Sequence, residues 1–235
     1  MKSSFVSRLL RRLPSRCPLC QMAAHGGLLC AGCEADTFGA RQRRSLCRTC
    51  GVCATQSGLC SNCEHGSVLD AVVCAIDYQF SGQLLIQLYK EGKQLTLARL
   101  LSDLMVRAAQ PLLQTYQLDA WVPIPASAAR LKHTGFSPAQ QLARLVASAT
   151  NIPCRLDWLT QRHDGPAQKT LNRRERSLSV RGRYVAHPAV AGRPIGVIDD
   201  VVTTTSTAVE VARVAKAAGA RQVVVLAAAR TPQRA

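Results

Sequence analysis

The stretch Ile195-Gly196-Val197-Ile198-Asp199-Asp200-Val201-Val202-Thr203-Thr204-Thr205-Ser206-Thr207 decides how this chain is read. Its apolar opening, Ile195, Val197 and Ile198, suits a central strand of a parallel sheet. Two carboxylates follow at the carboxyl end of that strand, and a run of hydroxyl side chains comes next. From Ala208 to Ala218 the composition turns helical, and it stops at Gly219. This order puts residues 203 to 207 at a helix N-terminus, where unpaired backbone N–H groups and the positive end of the helix dipole favour a phosphate. The Thr and Ser hydroxyls add donors, while Asp199 and Asp200 can accept hydrogen bonds from vicinal hydroxyls or hold Mg²⁺. These are the parts of a sugar-phosphate site. The plainer reading is a Thr-capped helix after a strand in any α/β domain, with solvated aspartates.

Upstream, the cysteines repeat. Cys17, Cys20, Cys30 and Cys33 recur as Cys47, Cys50, Cys60 and Cys63 after a shift of 30 residues. The flanks agree, Leu29-Cys30-x-x-Cys33-Glu34 matching Leu59-Cys60-x-x-Cys63-Glu64, as an internal duplication does. Each CxxC brings two thiolates onto one tight turn, and two such knuckles complete a tetrahedral sulfur cage for Zn²⁺. So small a segment lacks a core of its own, and bound metal supplies folding free energy in its place. Two structural zincs with sequential pairing are expected. A disulfide framework, a redox CxxC and an iron–sulfur cluster are the alternatives, and Cys50-Gly51-Val52-Cys53 offers a competing knuckle. Cys74 and Cys154 lie in apolar surroundings and read as inert core cysteines.

The chain has 235 residues, 47% of them hydrophobic, enough for one core of ordinary size plus a small appendage. No apolar run approaches the length that spans a bilayer, and the N-terminal MKSSFVSRLLRRL lacks a continuous apolar segment with a cleavage site. A cytoplasmic protein without membrane insertion is the expectation. Net charge is +16, with 9 basic and 3 acidic side chains in residues 1–66 and 21 and 11 in the rest. Such a balance favours polyanions, nucleic acid or phosphorylated small molecules, although an arginine-rich solvated surface gives the same count.

From Val68 onward strand and helix patterns alternate. Val68 to Tyr78 is β-rich. Leu84, Leu85 and Leu88, then Leu97, Leu100, Leu101, Leu104 and Met105, form apolar stripes of two helices on either side of Gly92. Short strands are expected at Ala120–Ile124 and Cys154–Leu159, a helix at Pro138–Ala149 with proline in its first turn, and a strand at Val223–Ala229. Residues 161–183 are polar and strongly basic. The alternation implies a mostly parallel sheet with ligands at the strand carboxyl ends.

The 195–207 stretch resembles the signature of the type I phosphoribosyltransferases, which bind 5-phosphoribosyl-1-pyrophosphate (PRPP) through two acidic residues and a Thr/Gly-rich loop. Where that family usually has TTGxT, this chain has Thr205 in place of the glycine that permits φ > 0. Combined with the cysteine repeat, the whole chain resembles the ComF/GntX family of competence-associated phosphoribosyltransferase-like proteins. Tyr89-Lys90-Glu91-Gly92, Val122-Pro123-Ile124-Pro125 and Gln168-x-x-Leu171-x4-Arg176-x-x-Ser179-x4-Tyr184 carry further family patterns. Departures are Thr134-Gly135-Phe136-Ser137-Pro138, where members have RGFNQ, and Ser179, where they have Asn.

The resemblance implies an α/β fold: a type I phosphoribosyltransferase-like parallel sheet flanked by helices (67–235), preceded by a small double zinc ribbon (1–66, with a lead-in at 1–16). It implies that Asp199 and Asp200 hold the ribose hydroxyls as the catalytic pair, and that Thr203, Thr204, Thr205, Ser206 and Thr207 hold the 5-phosphate. Mg²⁺ would arrive with PRPP, and Arg130 and Lys132 would compensate for the lost basic turn. Lys169, Arg173, Arg174 and Arg176 would serve as a lid or as a nucleic-acid contact. Two functions are compatible with this. One is a protein of natural transformation or external DNA use that binds PRPP, single-stranded DNA and competence-machinery proteins. The other is an active phosphoribosyltransferase with an unidentified acceptor.

Overall fold

The computed structural model describes residues 13–60, 63, 66–92, 95–126, 131–132, 135–162 and 181–232. Strands β1 (Pro14–Arg16) and β2 (Ala23–His25) pair antiparallel within the first cysteine repeat. A helical stretch, α1 (31–42), links the two repeats and is α-helical at both ends with a π segment at Ala35–Gly39. The larger part begins with β3 (Ala71–Asp77), followed by α2 (Phe80–Gly92), α3 (Leu95–Ala108), α4 (Gln110–Thr115) and β4 (Ala120–Pro123). Helix α5 (Pro138–Thr150) comes next, then the antiparallel pair β5 (Leu159–Gln161) and β6 (Tyr184–Ala186). The chain finishes with β7 (Pro194–Val202), α6 (Ser206–Ala217) and β8 (Gln222–Arg230).

β3, β8, β7 and β4 form one parallel sheet in that order. Its two central strands are buried on both faces, which is why they read as near-continuous apolar runs. Alternate residues feed two separate clusters. Ile198 and Leu226 pack with Leu85, Leu101, Leu104 and Trp121 on the α2–α3–α5 side, whereas Val197 and Val225 pack with Val211 and Ala215 of α6. Gly196 leaves room for Trp121, because a Cβ at that position would lie 2.3 Å from the indole ring. The Trp121 Nε1 donates to Thr150 Oγ1 at 2.9 Å, so even this buried ring has its polar atom paired.

The expected helix after Gly135 is present. Ser137 caps it by accepting from the Gln140 N–H at 3.3 Å, Pro138 occupies its first turn, and Asn151 ends it in the left-handed region at φ 57°. The strand expected at Cys154–Leu159 is corrected: Cys154 makes a single parallel bridge to Trp121, the chain bends at 156–158, and the strand begins only at Leu159. Those bends carry the chain off the edge of β4 and into the separate β5–β6 pair. Cys154 is half-buried and Cys74 buried. Both sheet edges are covered, β4 by residues 153–155 and β3 by the second cysteine repeat, where the Val72 N–H donates to the Arg48 carbonyl at 2.9 Å.

Candidate functional site

β7 runs to Val202, four residues beyond Ile198 where its apolar opening ends, so Asp199 and Asp200 lie inside the strand, near its carboxyl end. Asp200 is buried, and its Oδ2 meets the Lys90 Nζ at 2.8 Å. The Asp199 Oδ1 accepts from the Asp200 N–H and the Asp200 Oδ1 from the Val201 N–H, both at 2.8 Å. Burial and then the neighbouring Asp200 charge push the Asp199 carboxyl well above the usual carboxylate range. A cation beside the pair would offset that repulsion, and a hydroxyl could hydrogen-bond to either carboxyl group. Lys90 sits near the end of α2, whose preceding residue Tyr89 is fully buried and donates from its hydroxyl to the Pro138 carbonyl at 2.9 Å. Phe136 packs edge-on to the Tyr89 ring at 5.9 Å. Together these contacts hold α2 and the start of α5 at the acidic pair.

Beyond Val202 the chain bends through 203–205 and enters α6 at Ser206. A cleft of about 250 Å³ opens beside the acidic pair, with Pro125, Ser137, Gln161, Tyr184 and Thr207 among its walls. A second space of about 20 Å³ lies inside the bend, between Asp199, Thr203 to Thr205 and Thr207. The two spaces share Asp199, Val201 and Thr207, which puts the cleft next to the bend and the N-terminus of α6. Thr205 takes the left-handed conformation, φ 60° and ψ −7°, where a β-branched residue is an outlier. The departure from glycine therefore leaves the loop geometry in place and stores strain on the order of 1–3 kcal/mol beside the site. The Thr204 and Ser206 hydroxyls face each other at 3.0 Å.

Each cysteine repeat closes into a cage. The sulfurs of Cys17, Cys20, Cys30 and Cys33 lie within 4.8 Å of one another, as do those of Cys47, Cys50, Cys60 and Cys63. Contacts such as Cys20–Cys30 at 3.6 Å and Cys50–Cys60 at 3.4 Å approach the edge of about 3.8 Å that a tetrahedron of 2.3 Å zinc–sulfur bonds requires. Burial opposes ionisation of Cys17, but the backbone amides of Cys20 and Cys30 outweigh it and bring the thiol down to about 6. Cys47 behaves alike, burial being overcome by the amides of Cys60 and Cys50 to reach about 7. A ready thiolate in each cage fits metal ligation. Pairing is sequential, and the rival Cys53 stands outside, exposed, in a bridge to Leu46.

Two buried arginines tie the second cage to the sheet. Arg41 donates from Nε to the Cys74 carbonyl at 2.9 Å and from Nη2 to the Gly51 carbonyl at 2.6 Å, and its Nη1 meets Asp77 at 2.5 Å. Arg44 also pairs with Asp77. Arg230, at the end of β8, donates from Nε to the Cys50 carbonyl at 3.1 Å.

The sequence placed Asp199, Asp200 and residues 203–207 together, and the structure does the same. Lys132 is exposed and is not among the residues lining the cleft. Arg130, Lys169, Arg173, Arg174 and Arg176 lie outside the described residues. Gln161, Arg183 and Tyr184, at the base of the β5–β6 pair, line the cleft without having been singled out as site residues, and so does the helix-capping Ser137. Lys90 was quoted only within a family pattern, and its basic charge before Gly92 was the available signal. Arg230 had no signal at all.

No family model matches the chain. It is 28% identical over 227 residues to the DNA utilization protein YhgH of Escherichia coli O157:H7, covering 93% of this chain and 98% of that protein. The protein of the same name from Salmonella typhimurium is 27% identical over the same share. Competence protein F of Haemophilus influenzae is 25% identical over 213 residues, 86% of this chain and 90% of that one. Among solved structures, glutamine PRPP amidotransferase from B. subtilis, complexed with ADP and GMP, aligns at a TM-score of 0.38 and 20% identity over 55% of this chain and 25% of its own. Along nearly its whole length the chain is similar to proteins named for DNA utilization and competence.

Proposed function

We propose that the protein binds PRPP, or a related phosphoribosyl ligand, in the cleft beside Asp199, and that it acts in the uptake or use of external DNA with contacts to single-stranded DNA. The observation that carries the ligand reading is the placement of the acidic pair, the hydroxyl-rich bend and the N-terminus of α6 side by side, around two spaces that share Asp199, Val201 and Thr207. In this reading Asp199 and Asp200 accept from the ribose hydroxyls, and the 203–207 loop and helix end hold the 5-phosphate. Mg²⁺ bound with the ligand would neutralise its pyrophosphate near the acidic pair. Lys90 fixes Asp200 in orientation and offsets one of the two negative charges, so that the pair tolerates burial. Residues 1–66 form the metal module with two structural zincs, 67–235 the ligand part, and the protein works in the cytoplasm. Support for the DNA role comes from the names of the relatives and from the net charge of +16.

Calorimetric titration with PRPP and Mg²⁺ tests the site. Asp199→Asn should weaken binding by about 1–3 kcal/mol, the cost of losing a charge-assisted hydrogen bond. Asp200→Asn should weaken it at least as much, because Lys90 then loses its partner. Equal affinity in the wild type and both variants would place the ligand elsewhere. Release of pyrophosphate in the presence of a nucleobase would assign transfer chemistry, and anisotropy of labelled single-stranded DNA against salt reports the second ligand independently.

A further inference from the structure

Arg230 is only 1% exposed although it carries a guanidinium. Besides the Cys50 carbonyl at 3.1 Å, it reaches the carbonyls of Val202 at 3.0 Å, Thr203, and Thr231 at 3.2 Å. Cys50 belongs to the second cage, Val202 is the last residue of β7, and Thr203 is the first residue of the hydroxyl-rich bend. One buried side chain thus spans a metal knuckle and the loop. Cys50, Cys60, Cys63, Thr205 and Val209 also line one groove of about 480 Å³, a second sign that the cage and the loop are neighbours. Arg41 takes the next carbonyl, Gly51, and consecutive peptides of the knuckle are therefore both fixed by buried guanidinium groups.

A buried guanidinium is stable only while its acceptors stay in place, because each donor left unmatched costs the full desolvation of that group. When the knuckle opens, the Arg230 Nε loses the Cys50 carbonyl and the guanidinium must turn to find another acceptor, which loosens its hold on the Thr203 carbonyl, whereas the Val202 carbonyl keeps the Thr231 N–H as a donor. We infer that Arg230 is a positioning residue that makes the shape of the 203–207 loop depend on a closed second cage. The inference deepens the proposed phosphoribosyl site and rests on that reading for its functional meaning. The first cage sits against α3, on the other side of the sheet from α6, and has no such link among the described residues.

The test is amide hydrogen exchange, which needs no ligand. The Val209 N–H donates to the Thr205 carbonyl at 2.8 Å and reports the loop, whereas the Gln141 N–H, bonded to the Ser137 carbonyl at 3.1 Å, reports the α5 wall of the cleft, which none of the Arg230 hydrogen bonds described above reaches. Arg230→Met should speed exchange at Val209 about tenfold or more with Gln141 unchanged and with the metal content of the wild type. Arg230→Lys, which keeps a charge but cannot fork between the cage and the loop, should behave as Arg230→Met does. Cys63→Ser should loosen Val209 likewise, and Cys33→Ser should not. Unchanged Val209 exchange in the Arg230 variants overturns the inference, and so does equal loosening by Cys33→Ser and Cys63→Ser. PRPP titration of the same proteins keeps the two claims separate: a wild type that binds no PRPP refutes the proposed ligand, while the exchange pattern alone decides the link.

Discussion

The two cysteine repeats share their spacing and close into similar cages, yet they dock on the sheet by different physics. In the first, Cys17, Ala24 and Leu29 are buried in the same apolar cluster as Leu97 and Leu101 of α3. Its polar contacts lie at the rim, where Arg107 meets Glu34 at 2.7 Å with both side chains more than a third exposed and stacks 4.5 Å over Phe38. The second keeps a small cluster of its own around Cys47, Cys50 and Cys60 and is held to the sheet through Arg41, Arg230 and Asp77. A duplicated sequence unit specifies its cage; what the cage leans on is specified elsewhere in the chain. Apolar docking degrades gradually as contacts are trimmed. Polar docking in a buried site fails abruptly, because every lost partner exposes another group to desolvation without compensation.

The largest expected effect is therefore in the second repeat. Arg41→Met leaves Asp77 and two carbonyls short of a buried donor and should cost about 3–5 kcal/mol in urea unfolding. The double variant Arg41→Met/Asp77→Asn should recover little of that loss, since Arg44 still neutralises Asp77 in the single variant. In the first repeat, Leu29→Ala should cost about 2–4 kcal/mol by cavity formation and be nearly independent of salt. The equivalent Leu59 of the second repeat is only half-buried, and Leu59→Ala should cost about 1 kcal/mol or less. The smallest effect belongs to Arg107→Ala, at most about 1 kcal/mol and shrinking at high salt, because it removes surface ion pairs to Glu34 and Asp103 and one cation–π contact with Phe38. Should Arg107→Ala prove as costly as Arg41→Met, the distinction between apolar and polar docking would collapse.

What the sequence made readable was whatever depends on neighbours in the chain. The strand through Ile195 to Ile198, the helix from Ser206 and the sequential cages follow from local pattern, because burial on both faces and ligand spacing leave marks within a dozen residues. The Cys154–Leu159 strand was misread since its composition is β-like while the bends at 156–158 obey the edge of β4. Whether Cys53 competed for metal was open on spacing alone and is decided by its bridge to Leu46. Lys90 against Asp200 and Arg230 against Cys50 are meetings of distant segments. A lone arginine after the run Val223 to Ala229 looks like any strand end, and only the fold reveals that it is buried.

The second repeat also supplies the covering of β3, whose Val72 N–H is taken up by Arg48. This matters for the history of each molecule in the cell. With residues 47–63 open, Ala71–Asp77 would be a bare strand edge with an apolar face, the kind of surface on which chains pair with one another. Closure of the second cage would then also withdraw that edge from aggregation and proteolysis.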